Sequence, residues 1–230
     1  ELFKTFASKV KKIIVIEELR PFIETNIKCL HPEILGKAKM GLSEIGEFTP
    51  DVIRDAFAGL GLCEKTEPQS ALELPVRPPV LCPGCTHRAF YYALNTVKGK
   101  ETDKIVTGDI GCYTLGFMPP IKAVQTCLCM GAGISQAAGM VHAGVEDKVF
   151  AVIGDSTFFH GGMPGLLNIA YNKSNVCVII LANNTVAMTG HQPTPGSGRN
   201  VLGEQTKVID IAEVARSLGI EKVDVVDPYN

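Results

Sequence analysis

Apolar runs of strand length recur along the second half of the chain, each set off from the next by a stretch with helical periodicity. Val149-Phe150-Ala151-Val152-Ile153 and Val176 to Leu181 are continuous apolar runs, the pattern of strands covered on both faces. Around them the periodicity predicts helix 86–98, strand 104–108, helix 131–144, strand 148–153, helix 163–172, strand 176–182, helix 209–218 and strand 222–226. Strands alternating with helices predict an α/β fold, a doubly wound and mostly parallel sheet. Nearer the start, Lys12 to Glu18 reads as a short apolar strand ending in acids, and Pro21 to Lys28 as a helix with proline in its first turn. Thr49-Pro50-Asp51 predicts a helix start, Thr as N-cap and Pro at N1, with the helix running to about Gly59. One strand and two helices are too few for a domain, so residues 1–63 read as the carboxyl-terminal part of a preceding α/β domain. The polar, proline-rich residues 64–80 read as a linker, and 81–230 as a second domain. The opening on Glu1 and the stop at Asp227-Pro228-Tyr229-Asn230 read as cuts through a longer polypeptide.

Chemistry enters at the ends of the two apolar runs. The first ends in Gly154-Asp155-Ser156; the second ends in Asn183-Asn184, with Thr185 placed so that its carbonyl could turn inward. Open α/β sheets bind ligands at the carboxyl ends of their strands. Asp and Asn oxygens, a backbone carbonyl and phosphate oxygens make the shell that Mg²⁺ prefers, so the pair points to a diphosphate held through a metal. A helix cap at Asp155 and a turn at Asn183-Asn184 would use the same residue types. Met130-Gly131-Ala132-Gly133-Ile134 puts small residues at a helix start, where a ligand or a neighbouring backbone can approach closely. A dinucleotide fingerprint fails there, because Gln136 stands where the third glycine belongs. The long segment from Gly190 to Gly203, rich in Gly, Pro, Thr and Ser, reads as a binding loop.

Composition narrows the classes. The chain has 230 residues, 46% apolar and 20% charged, with a formal charge of −2, which gives no reason to expect nucleic acid or an anionic membrane as partner. No apolar run approaches the roughly 20 residues of a spanning helix, and a cytoplasmic location is expected. Of the eight cysteines, several lie in apolar runs, such as Cys177, and read as small buried thiols. Cys82-Pro83-Gly84-Cys85 differs: it suits a redox pair, half a zinc site, or two ligands of an iron–sulfur cluster.

Met-Gly-Ala-Gly-Ile, then Gly-Asp-Ser, then Asn-Asn resembles the diphosphate-binding half of thiamine-diphosphate enzymes. Within that superfamily five segments are similar to the large subunit of indolepyruvate:ferredoxin oxidoreductase. They are Val15-Ile-Glu-Glu-Leu-Arg-Pro-Phe22, Arg77-Pro-Pro-Val-Leu-Cys-Pro-Gly-Cys-Thr-His-Arg88, Gly108-Asp-Ile-Gly-Cys-Tyr-Thr-Leu-Gly116, Gly154-Asp-Ser-Thr-Phe-Phe-His160 and Thr189-Gly-His-Gln-Pro193. The resemblance implies the thiamine-diphosphate-binding fold over residues 81–230. It implies Mg²⁺ held by Asp155, Asn183 and the Thr185 carbonyl, with backbone amides near Gly154 and Ser156 on the diphosphate. Met130, next to Gly131, matches the apolar residue that in relatives wedges between the two cofactor rings. His87, His160 and His191 fall in these motifs as proton shuttles, diphosphate contacts or structural histidines, with His160 and His191 ranked first. Cys82, Cys85 and Cys112 match candidate [4Fe–4S] ligands; a fourth would lie past Asn230, unless the cluster has been lost. The implied reaction is oxidative decarboxylation of indolepyruvate or another aryl 2-oxo acid to an acyl-CoA, with ferredoxin as electron acceptor and a smaller (beta) subunit as partner. The acid that activates the cofactor is expected outside this chain. A non-oxidative thiamine-diphosphate-dependent decarboxylase is the alternative.

Overall fold

The computed structural model describes residues 1–65, 74–96 and 104–229. Part of the expected linker and the last residues of the helix expected over 86–98 lie outside the described residues. The chain divides into two compact units, Glu1–Pro75 and Val76–Asn230.

The first unit carries α1 (Leu2–Ala7), α2 (Ile23–Lys28), α3 (Lys37–Met40) and α4 (Pro50–Gly59). Thr49 caps α4 as expected, its hydroxyl accepting the Val52 N–H at 3.4 Å. The strand expected over Lys12–Glu18 is reduced to one parallel bridge, Ile14 to Leu35, because the partner chain turns into α3 directly afterwards. The acids that close this segment are structural. Glu18 accepts the Phe48 N–H at 2.8 Å, and Glu17 accepts those of Phe22, Ile23 and Glu24 at 2.8–3.0 Å, capping α2 from outside the helix. Burial works to raise the Glu17 carboxyl, but these three bonds and the Lys37 charge outweigh it and hold it below its usual 4.5. A depressed folded-state pKa stabilises above the unfolded value and is lost as pH falls through the folded one. Glu17→Gln is therefore expected to cost about 1 kcal/mol, the scale of a helix cap, at pH 7. The gap to wild type should shrink below pH 4.5, as read by denaturant unfolding at neutral and acid pH.

In the second unit α5 (Thr86–Thr96) precedes β1 (Lys104–Thr107), α6 (Ala132–His142) and β2 (Lys148–Gly154). Then come α7 (Asp155–Thr157), α8 (Met163–Tyr171), β3 (Val176–Leu181), β4 (Thr185–Val186), β5 (Gln192–Pro193) and α9 (Ile211–Ser217). β1, β2 and β3 form a parallel sheet in that order, and β4 pairs antiparallel with β5. The alternation of β2 builds the two layers. Val149, Ala151 and Ile153 face α6, α8 and α9, packing with Ile134, Ala137, Leu166, Ile169 and Ala215. Phe150 and Val152 face the other way, onto Tyr91 and Leu94 of α5. With helices on both faces the sheet is doubly wound, as expected. Thr107 joins the layers by donating its hydroxyl to the Gly133 carbonyl of α6 at 2.8 Å.

Two local expectations fail for physical reasons. Residues 222–226 are irregular rather than a strand: they are mostly exposed, and no described strand runs beside them to pair. Cys177 is exposed, and none of the eight cysteines is buried; β3 is the last strand of its sheet among the described residues, so one face stays partly open. The helix expected over 163–172 is α8 (Met163–Tyr171), entered from α7 through a π-helical turn over Phe158–Gly162. Pro164 has no N–H to donate, which interrupts the regular ladder and makes the sequence read as a fresh helix start. Among the described residues no helix is long and apolar enough to cross a membrane.

Candidate functional site

The carboxyl ends of the three parallel strands carry the polar groups. β2 runs straight into Asp155, whose side chain is 2% exposed. Its carboxylate accepts the Ser156 N–H at 2.7 Å and the Asn184 N–H at 2.6 Å. Asn184 can present that N–H because it adopts a left-handed conformation, φ 56°, which Asn tolerates. Asn183 is exposed, and its side-chain oxygen accepts the Thr185 N–H at 3.2 Å, an Asx turn that leads into β4. A buried carboxylate, the exposed Asn183 and the half-buried Thr185 thus lie at the ends of two neighbouring strands.

β1 delivers a second carboxylate that the sequence argument did not single out. Asp109 is fully buried and accepts N–H bonds from Ile110 at 2.7 Å, Gly131 at 2.9 Å and Gly133 at 3.1 Å. Gly108-Asp109 and Gly154-Asp155 are therefore matched turns on neighbouring strands, each folding its carboxylate onto the next N–H. The repeat of Gly-Asp after an apolar run was the available signal.

Tyr113 lies between the two turns. Its ring packs so closely that a methyl group on Gly111 or Gly154 would lie 2.5 or 2.4 Å from a ring carbon. Its hydroxyl donates to the Ile110 carbonyl at 2.8 Å, and its own carbonyl accepts from Tyr91 at 2.7 Å. Burial, reinforced by the charges of Asp109 and Asp155, pushes the Tyr113 phenol up to about 12. Edge-on to that ring, at 6.1 Å between centroids, stands the buried imidazole of His87. Burial lowers its pKa, and the Asp155 charge works in the opposite direction. His87 is thus the motif histidine enclosed beside Asp155.

The other expected site residues lie further out. His160 is exposed on the π-helical turn; His191 is exposed with φ 62° and shares a groove of about 400 Å³ with Asn184, Arg199 and Asn200. Met130 is 60% exposed just ahead of α6, and Gly131 behind it has φ 88°, where a side chain would be strained. Gly131 and Gly161 meet backbone to backbone: a methyl group on either would lie 3.3 Å from the other's Cα. The Gly131 and Ser156 N–H groups are already taken by Asp109 and Asp155. Burial raises the Cys112 thiol, and Cys85 and Cys82 lie close enough for their charges to add to the rise. Among the described residues no three His, Cys, Asp or Glu side chains gather into a metal cluster. A divalent ion at the end of β2 would accordingly combine the Asp155 carboxylate with amide and carbonyl oxygens, a hard-oxygen set that suits Mg²⁺.

Residues 109–230 match the C-terminal TPP-binding domain of thiamine pyrophosphate enzymes. The chain belongs to that family, and the parallel sheet with its loaded strand ends is the family's fold. Over its whole length it is 39% identical to indolepyruvate oxidoreductase subunit IorA of Archaeoglobus fulgidus and 37% identical to the subunit of that name from Pyrococcus horikoshii. It spans 38% and 39% of the length of those two relatives. Among solved structures, 2-oxoglutarate:ferredoxin oxidoreductase from Magnetococcus marinus is similar in fold. The TM-score is 0.52 at 19% identity, over 64% of this chain and 53% of that one.

Proposed function

We propose that this chain is the Mg²⁺–thiamine diphosphate-binding segment of a 2-oxoacid:ferredoxin oxidoreductase acting on indolepyruvate or another aryl 2-oxo acid. The observation that carries the reading is the buried Asp155, held at the end of β2 and tied to the turn that presents Asn183 and Thr185. In this reading Asp155, Asn183 and the Thr185 carbonyl hold Mg²⁺, and the backbone around Gly154 and Ser156 faces the diphosphate. Met130 and Gly131 support the rings, and His160 and His191 approach the substrate. When bound, thiamine diphosphate supplies the nucleophile and electron sink that 2-oxo acid decarboxylation requires. The protein's part is to orient it and keep water out. Residues 1–63 are read as the end of a preceding domain, with 64–80 as the connecting linker.

The acyl group passes to coenzyme A, and the two electrons leave singly to ferredoxin. Cys82, Cys85 and Cys112 are candidate ligands for a [4Fe–4S] cluster on that route, a role that rests on their place in the Cys82-Pro83-Gly84-Cys85 and Gly111-Cys112-Tyr113 motifs. A smaller partner subunit and a cytoplasmic setting complete the assignment. Calorimetric titration of thiamine diphosphate into the chain, with Mg²⁺ and then with a chelator, tests it. Binding that requires the metal is expected; binding indifferent to the chelator would overturn the assignment. Silence in both would move the same titration to the full-length protein, where silence would be decisive.

A further inference from the structure

Asp109 ties its strand to a helix, whereas Asp155 ties β2 to the turn after β3. Two of the three N–H donors to Asp109, Gly131 and Gly133, form the first turn of α6. A helix N-terminus favours negative charge, and here the protein supplies that charge itself. The N–H groups that could have gripped a ligand's phosphate are spent on Asp109. The approach is close: a methyl group on Gly133 would lie 2.8 Å from the Gly108 carbonyl oxygen and 3.4 Å from an Asp109 carboxylate oxygen. The Asp109 carbonyl also accepts from the Thr114 hydroxyl and the Cys127 thiol. The residue that precedes this clamped turn is Met130, 60% exposed.

We infer that Asp109 is a positioning residue: it locks the first turn of α6 from inside and so fixes where Met130 stands to receive the cofactor's rings, without touching metal or diphosphate. This rests on the proposed cofactor reading. Asparagine cannot replace the carboxylate, because N–H donors converge on both oxygens and an amide offers only one acceptor.

The test uses the full-length protein and two probes, thiamine diphosphate with Mg²⁺ and inorganic pyrophosphate with Mg²⁺. Wild type, Asp109→Asn, Met130→Ala and the double variant are compared by calorimetry, with hydrogen exchange read on the peptide spanning 128–136. Asp109→Asn is expected to weaken thiamine diphosphate about 10–100-fold, the range for outer-shell partners of a site, and to leave pyrophosphate unchanged. The 128–136 amides should exchange faster, and the double variant should be no weaker than the worse single one. Unchanged thiamine diphosphate binding, equal loss of both probes, or additive losses with Met130→Ala would each overturn the inference. Should Asp109→Asn fail to fold, Gly133→Ala opens the same clamp with the charge kept, and the same pattern of results is required of it. Wild type that binds neither probe would sink the cofactor reading and this inference with it. Wild type that binds both, beside an Asp109→Asn protein that behaves identically, sinks the inference alone.

Discussion

Asp155→Ala is expected to reduce the affinity for Mg²⁺–thiamine diphosphate by at least about a hundredfold, since removing outer-shell partners alone typically costs about 10–100-fold. Two losses combine. The metal loses its only charged protein ligand in the proposed set. The N–H groups of Ser156 and Asn184 lose their acceptor, which releases the left-handed residue that sets the position of Asn183. The second loss also weakens the fold, by about 1–3 kcal/mol for donors left unsatisfied near a buried position. Asp155→Asn separates the two. It keeps the shape and one acceptor, so thermal stability should lie between wild type and Asp155→Ala, while the metal-dependent affinity stays low. Calorimetry beside thermal unfolding reads both. An Asp155→Ala protein that binds with wild-type affinity would place the metal elsewhere.

Much of the fold that carries the candidate site is legible in the sequence. The continuous apolar run specified β2 because a parallel strand covered on both faces has no polar side to interrupt it; β3 carries the same run although it is only partly covered. Asp155 and Asn183 followed directly from where those runs stop. Asp109 was harder to read, although its Gly-Asp turn mirrors Gly154-Asp155. Its meaning depends on Gly131 and Gly133, distant in sequence and adjacent only once α6 has packed on β1. The same holds for His87, ranked behind His160 and His191, since its enclosure depends on Tyr113 and Asp155 arriving from other elements. The expected strands at 12–18 and 222–226 have apolar residues but, among the described residues, no partner ladder of useful length. Apolar pattern specifies a face; a strand also needs a neighbour, which local sequence does not reveal.

Gly154→Ala should be among the most damaging single methyl groups in the second unit, beside Gly116→Ala, whose Cβ would meet the Tyr91 ring at the same 2.4 Å. Gly154 has φ −83° and ψ 162°, an ordinary extended conformation, so the backbone does not demand glycine. Space does: the new Cβ would lie 2.4 Å from Cε1 of Tyr113. That ring has little room to retreat. It is 5% exposed, its Cε1 is already packed against Gly111 as well, and the residue is held by hydrogen bonds at both its hydroxyl and its carbonyl. Overpacking of this kind costs about 1–3 kcal/mol and sometimes more, and here β2 must shift just where it hands over to Asp155. Weaker cofactor binding is therefore expected together with a lower melting temperature. Gly139→Ala provides the contrast within the same unit. Nothing lies within 4 Å of the added methyl group, and the site is inside α6, so the better helix former should stabilise by up to about 1 kcal/mol. Relief by Tyr113 decides the cause. Tyr113→Leu should cost less in the Gly154→Ala background than in wild type, because it removes the clash, whereas Tyr113→Phe keeps the ring carbons and should relieve nothing. Additive effects of Gly154→Ala and Tyr113→Leu would show that the strand end is sensitive for a reason other than this contact.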